Sequence, residues 1–449
     1  MPDQPTHPFI NVTTHSKILG TFLGSALGDT IGLYTEFLPR TECLRSYPPG
    51  MFSLTEPNIT PFRADTHRDK FDEGSWTDDT DQSILLLLSF LHQSIKKNAH
   101  NPSQPSPDPR DIAHRLRIWI TQGLRALERP PLGIGRTTSL TVCHPSYLDD
   151  PAARALQVWV NGNRDVAANG SVMRTHPLGV ICLNSSLEET FRAATEVGRI
   201  THVDPRCVVA CCLVTGLIRG MLRGEVTEEE HLDEMIQTAY EWVASKPELC
   251  DPDGGMEAST STEPRLKLDE YRAHCHAKSF ADLKLDEAQK IGYVYKALGA
   301  GVLCLRLAMR RKPLVSTSTH GEVFETLVTE LIMEGGDADT NACVAGALLG
   351  AWLGYEELPQ AWVKGMKDVK WLVRKTERAS VRLGVLCDPT AQDEAEDEKP
   401  DGGKPEMSKS ETDEMEKAVL TKILEKQQKR REDEERAKSR KGALFRLFK

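Results

Sequence analysis

Ile18–Leu33 reads ILGTFLGSALGDTIGL, an apolar run in which Gly20, Gly24, Ala26, Gly28 and Gly32 are set among larger residues. Side chains this small let two helices approach closely, and the run lacks the strict alternation of a half-buried strand. The pattern recurs outward from it. Asp81–Ile95 carries a dense Leu/Ile face, and Pro205–Leu222 reads as a buried helix. Gly292–Met309 and Ala342–Trp352 again space Ala and Gly among larger apolar residues. The expected fold class is all-α, a compact helical domain and not an α/β one.

Bulk properties narrow the function. Hydrophobic residues make up 39% and charged residues 27% of the 449, the balance of a soluble protein with some flexible sequence. A formal charge of −10 argues against the whole surface serving as a nucleic-acid platform, so no stable nucleic-acid partner is expected. The eleven cysteines are scattered and show no C-x-x-C spacing. They point to packed thiols in a reducing intracellular compartment, cytoplasmic or nuclear. The opening MPDQPTHPFINVTTH has no basic stretch followed by an apolar one, so neither a secretion signal nor a transmembrane segment is expected.

Composition divides the chain into a flexible N-terminus, 1–15, a body, 16–390, and a charged tail, 391–449. Lys96–Pro109 is Pro- and Ser-rich and reads as a loop, and Ser245–Pro264 as a surface insertion. Ala391–Glu416 holds eleven acids against three bases, which predicts disorder. Lys417–Lys449 holds twelve bases against five acids. With Leu420, Ile423 and Leu424 as an apolar stripe and the basic-aromatic end KGALFRLFK, it reads as a basic amphipathic helix. Its readings are a solvated tail, or docking onto a protein partner or an anionic membrane.

Two acidic clusters carry the chemistry. Trp76-Thr77-Asp78-Asp79-Thr80-Asp81 precedes the Leu-rich helix, and Gly335-Gly336-Asp337-Ala338-Asp339-Thr340-Asn341 precedes the Ala/Gly-rich one. Each lies at a loop-to-helix junction, where one Asp or Thr serves as an N-cap. Capping needs one such residue, and each cluster holds at least three. Crowded carboxylates repel unless a cation offsets them. Carboxylate and hydroxyl oxygens without His or Cys suit hard cations, magnesium before manganese or calcium. A third acid, Glu36, closes the segment Gly24–Glu36.

Five segments in one order resemble the ADP-ribosylglycohydrolase family: G-x-x-x-G-D-x-x-G-x-x-x-E at Gly24–Glu36, W-T-D-D-T at Trp76–Thr80, N-G-S-V-M-R at Asn169–Arg174, T-H-x-D-P at Thr201–Pro205, and G-G-D-x-D-T-N-A at Gly335–Ala342. The resemblance runs from about Ile18 to Leu386. It implies an orthogonal all-α fold with two magnesium ions in a central cleft, manganese being their substitute. Thr77, Asp78, Asp79, Asp337, Asp339 and Thr340 would be the metal ligands. Glu36 matches a mobile glutamate near the metals. Asn169, Gly170, Ser171 and Met173 match the loop around the diphosphate and distal ribose, and His202 a histidine of the same cleft. Gly133 and Gly135 resemble a glycine loop near the phosphates, their other reading being an ordinary turn. Tyr293 matches a segment that supplies an aromatic wall to the adenine, or is a core tyrosine. One departure is Asp204, where many relatives carry a second histidine.

The implied activity is magnesium-dependent hydrolysis of the bond between the distal ribose of ADP-ribose and a protein side chain or other acceptor. Glu36, Asp78, Asp79, Asp337 and Asp339 would be the catalytic acids. The substrate would be an ADP-ribosylated protein or small molecule. Two other classes fit the same residues. A catalytically silent ADP-ribose binder or structural protein would keep the fold without the chemistry. A phosphoryl hydrolase would release AMP and ribose phosphate.

Overall fold

Glycines on one face of the first helix set the architecture. The computed structural model describes residues 8–48, 50–97, 107–254, 265–311, 321–387 and 395–447. Five helices define the body: α1 (Pro8–Gly32), α2 (Asp78–Lys97), α3 (Pro205–Arg223), α4 (Val294–Arg310) and α5 (Ala338–Leu353). α1 runs antiparallel to α5 at backbone contact. A β-carbon at Gly20, Gly24 or Gly28 would lie 2.3, 2.4 or 1.9 Å from the carbonyl oxygens of Gly350, Gly346 and Ala342. The match is reciprocal, since β-carbons at Gly346 and Gly350 would strike the Gly24 and Gly20 oxygens at 2.0 and 1.8 Å. The small residues of Ile18–Leu33 thus bring the C-terminal end of α1 against the N-terminal end of α5, where the second acidic cluster stands.

The fold is all-α, with no strand among the described residues. α4 packs on α5 through Gly301, whose position faces Val344 and Leu348. α3 is the one described helix long and apolar enough to cross a membrane, and its apolar stretch is buried within the protein. An isolated bridge pairs Pro39 with Gly335. Beside it Phe37 N–H donates to the Gly336 carbonyl at 2.6 Å, and Gly336 N–H to that of Leu38 at 2.9 Å. At Gly336 φ is +72°, and a β-carbon would meet the Leu285 oxygen at 2.1 Å, so glycine is required. This exchange fixes the turn carrying Glu36 beside Asp337.

The ends of the chain differ from the compositional expectation. α1 begins at Pro8, inside the segment expected to be flexible. It is tied down where His15 Nδ1 bonds Ser380 Oγ at 2.9 Å and Lys17 Nζ donates to the Met221 carbonyl at 3.0 Å. Of the expected insertion, Pro247–Cys250 is a helical turn with Leu249 buried, and 255–264 lie outside the described residues.

The tail differs most. Residues 395–408 are described, and α6 (Lys409–Leu447) follows as one long helix. The reason lies in long-range charge pairing that local composition hides. Glu398 is fully buried and accepts from Lys375 Nζ at 2.9 Å and Arg378 Nε at 2.6 Å, while Arg115 donates to its carbonyl at 2.8 Å. Lys375 and Trp371 reach Asp397 at 2.7 and 2.8 Å. The side chains of 437–449, which include the basic-aromatic end, lie outside the description. Removing one partner of a buried pair strands the other, at a cost of about 3–5 kcal/mol. Glu398→Ala is therefore expected to lower the thermal midpoint clearly, whereas Glu396→Ala, at an exposed pair, should leave it almost unchanged. Equal midpoints in thermal denaturation would rule out this anchoring.

Candidate active site

The N-terminus of α2 is satisfied by an acid from another helix. Asp29, fully buried on α1, accepts from the backbone N–H of Thr77 (2.9 Å) and Thr80 (3.0 Å) and from Thr80 Oγ1 (2.6 Å). Burial raises its carboxyl to about 6. Asp81 is likewise occupied, accepting from Trp76 Nε1 at 2.7 Å, Trp119 Nε1 at 3.2 Å and Arg129 Nε at 3.2 Å. Thr77 Oγ1 also accepts from the Asp79 N–H at 3.4 Å, so capping accounts for Thr77 and leaves the carboxylates of Asp78 and Asp79 unexplained. At α5, Asp337 occupies the N-cap position without a side-chain cap bond.

The acids left over converge. Thr77 Oγ1 donates to Asp339 Oδ2 at 3.3 Å, joining two clusters that stand 262 residues apart. Carboxylate oxygens of Glu36, Asp337 and Asp339 lie within 4.8 Å of one another. Burial, reinforced by neighbouring carboxylates, pushes Asp78, Asp79 and Asp339 well above the usual carboxylate range and Asp337 to about 6. Asp79 Oδ2 is buried without a hydrogen-bond partner. A buried, unpartnered carboxylate oxygen among mutually repelling acids fits a hard cation, and the donor set is entirely oxygen.

The rim comes from three loops. Gly133, at φ +90°, passes so close to Asp78 that a β-carbon would sit 2.4 Å from Oδ1. Asn169 Nδ2 donates to Asp337 Oδ2 at 2.8 Å. Buried Arg174 joins the Gly170 carbonyl (2.7 Å), Gln82 Oε1 (3.3 Å) and Thr201 Oγ1 (2.5 Å), and Gln82 in turn donates to Asp78 Oδ2 at 2.8 Å. Thr201 Oγ1 bonds His202 Nδ1 at 2.7 Å. Burial and then the Arg174 guanidinium lower His202 to about 3, leaving a neutral imidazole at physiological pH. One cleft results, lined by Glu36, Asp78, Asp79, Asp337, Asp339 and Thr340 below and by Gly133, Gly135, Asn169, Gly170, Met173 and His202 around it.

A family model described as ADP-ribosylglycohydrolase matches residues 11–391. The chain belongs to the ADP-ribosylglycohydrolase family. That family name is of hydrolases acting on glycosyl bonds. Within the family the chain is similar to the ADP-ribosylarginine hydrolase Tri1 of Serratia proteamaculans, 22% identical over 77% of this chain and 74% of that protein. It is similar to the ADP-ribosyl-[dinitrogen reductase] glycohydrolase of Rhodospirillum rubrum, 23% identical over 80% and 92%. The mouse ADP-ribosylhydrolase ARH3 is 24% identical over 81% and 91%. Among solved structures, an ADP-ribosylglycohydrolase-related protein complex superposes with a TM-score of 0.51, at 22% sequence identity, over 84% of this chain and 100% of that one. The likeness is one of fold.

Three residues singled out in this ADP-ribosylglycohydrolase sequence, Thr77, Ser171 and Tyr293, are not among those lining the cleft, although Thr77 reaches Asp339 through its hydroxyl. Ser171 is fully buried and faces the thiols of Cys207 and Cys211. Tyr293 donates its hydroxyl to Glu270 at 2.7 Å and stacks with the Arg206 guanidinium at 5.7 Å; its neighbour Gly292 is the cleft residue. Asp204 caps α3, accepting from Arg206 N–H at 3.0 Å and Trp159 Nε1 at 2.9 Å. Arg136, Thr137 and Thr138, from the glycine-loop segment Leu132–Thr138, also line the cleft, as do Phe37 and Ala168, which sequence reasoning passed over and which adjoin quoted motifs.

Proposed function

We propose that this ADP-ribosylglycohydrolase cleaves the bond between the distal ribose of ADP-ribose and a protein side chain or small acceptor, with two magnesium ions held by Thr77, Asp78, Asp79, Asp337, Asp339 and Thr340. The observation that carries this reading is Asp79 Oδ2, buried and unpartnered among repelling acids, together with the names of the relatives. Bound ions would supply Lewis acidity, orienting the vicinal ribose hydroxyls and generating the water nucleophile, and manganese would serve in magnesium's place. Asn169 fixes the rotamer of Asp337 through its amide. The amides of the Gly133–Gly135 and Asn169–Gly170 loops lie at the rim, where they can cradle a diphosphate. Glu36 faces the same cleft and is the group placed to accept the water's proton. The unpaired cysteines, eight of them buried, support a reducing intracellular compartment.

The deciding experiment is product analysis on defined ADP-ribosyl linkages to arginine, serine, a nucleic-acid end, a small metabolite and poly(ADP-ribose). Intact ADP-ribose from at least one is expected. AMP with ribose phosphate would assign a phosphoryl hydrolase, and tight binding without turnover on any linkage a silent binder. Glu36→Gln is expected to lower kcat by about 10²-fold, as removal of a general base does. A change confined to KM would make Glu36 a gate instead.

A further inference from the structure

Glu36 is held in the cleft from outside it. The loop 65–72 contains a short 3-10 turn, Arg68–Lys70, and grips Glu36 twice. His67 Nε2 bonds the Glu36 carboxylate at 2.6 Å, and buried Arg68 donates to the Glu36 carbonyl and, through Nε at 3.0 Å, to that of Tyr34. The His67 ring lies 5.0 Å from Phe37 and 6.1 Å from Phe71, centroid to centroid. Such a grip is needed because Asp337 and Asp339 repel Glu36 at close range.

The other side of this loop is covered by the tail. Lys422, Lys426 and Arg430 recur every four residues and so share one face of α6. Lys422 pairs with Asp72 at 2.8 Å, Lys426 donates to the Phe71 carbonyl, and Arg430 pairs with Asp69. The Asp69 side chain is only 5% exposed. With α6 in place the Asp69 carboxylate is shielded from water, and Arg430 of the tail is the cation paired with it. Lys367 pairs with Asp72 from the body at 2.6 Å, so the loop keeps one anchor when the tail lets go.

We propose that His67 is the positioning residue for Glu36, and that α6, by clamping the loop through Asp69 and Asp72, sets how firmly Glu36 is held. The catalytic part rests on the proposed hydrolase function; the clamp does not. Charge on the tail then tunes a site that none of the described tail residues lines.

The test uses the full chain and three variants: His67→Ala, His67→Gln and Lys422→Glu/Lys426→Glu/Arg430→Glu. Hydrogen exchange, which needs no substrate, reads the clamp. In the charge-reversed variant the amides of 65–72 and 33–38 are expected to exchange about tenfold faster or more, with α3 unchanged. Unchanged exchange at 65–72 would overturn the clamp. Kinetics on a cleaved linkage read the positioning role. His67→Ala is expected to lower kcat about tenfold with KM within about twofold, and His67→Gln, which keeps an N–H donor, to recover most of it. The charge-reversed variant should show the same kcat loss, and its combination with His67→Ala no further loss. Wild-type kcat in His67→Ala would overturn the positioning role. Absence of turnover by the wild type on every linkage would count against the hydrolase function, with hydrogen exchange still deciding the clamp.

Discussion

Asp78→Asn and Asp337→Asn are each expected to lower kcat/KM for ADP-ribose release by at least about 10³-fold while the protein stays folded, more than the 10–100-fold typical of outer-shell changes around a metal. The replacement keeps shape and hydrogen bonding: an Asn carbonyl at 78 can still accept from Gln82, and one at 337 from Asn169. What it removes is a charge. Burial and neighbouring carboxylates already disfavour the ionised forms of both acids, so loss of one charge relieves repulsion in the metal-free protein. The metal-free thermal midpoint should accordingly be unchanged or higher. Magnesium at one hundred times its dissociation constant should stabilise the wild type by about 2.7 kcal/mol, and this gain should vanish in both variants. Thermal denaturation with and without magnesium, run beside the kinetics, separates the two effects. Undiminished hydrolysis by both variants in metal-depleted buffer would sink the dimetal reading.

That test depends on a division of labour among acids that look alike in the sequence. Asp78, Asp79 and Asp81 stand within four residues, yet Asp81 is fully engaged by two indoles and Arg129, while Asp79 keeps an oxygen unpartnered. Helical geometry separates only Asp79 from Asp81, by about two hundred degrees. Asp78 and Asp81, three residues apart, share a face, and their partners divide them, Gln82 for Asp78 and Trp76, Trp119 and Arg129 for Asp81. The clustering was therefore legible, because it is local, and so was the all-α class, because apolar periodicity is local. The role of Asp29 was not. Its partners Thr77 and Thr80 lie 48 and 51 residues on, and a lone Asp after Gly28 has no signature of an acid that caps another helix.

The anchoring of the tail is hidden from the sequence for the same physical reason. Eleven acids among 26 residues look like a solvated segment, but Glu398 and Asp397 answer Lys375 and Arg378 on the body. His67 is a still harder case. Nothing within ten residues distinguishes it from a surface histidine, and its meaning comes entirely from Glu36, 31 residues earlier. Tyr293 shows the converse: a motif neighbour can be found while the residue in contact with the cleft is Gly292, since Ala168 and Tyr293 pair as an isolated bridge and turn the tyrosine ring toward Arg206.

Gly28→Ala should be among the most damaging single methyl groups in the described structure. Its β-carbon would stand 1.9 Å from the Ala342 carbonyl oxygen and 2.5 Å from the carbonyl carbon. Both are backbone atoms of a helix, so no side chain can swing aside, and α1 must move off α5. Overpacking costs about 1–3 kcal/mol where side chains can give, and a backbone clash belongs at or above the upper end. The functional loss should exceed the stability loss. Asp29, the next residue, holds the N-terminus of α2, and α5 begins one turn before Ala342 with Asp339 and Thr340. Separating the helices displaces one acidic cluster from the other, and a misplacement of about 1 Å costs on the order of 10²-fold in rate. Gly198→Ala is the control: it lies within the helix Leu187–Arg199, and there a β-carbon meets only Cys211 Sγ at 3.4 Å, so stability should hold or rise slightly. If Gly28→Ala matched Gly198→Ala in thermal midpoint and in kcat, the close approach of α1 to α5 would not be what registers the two halves of the site.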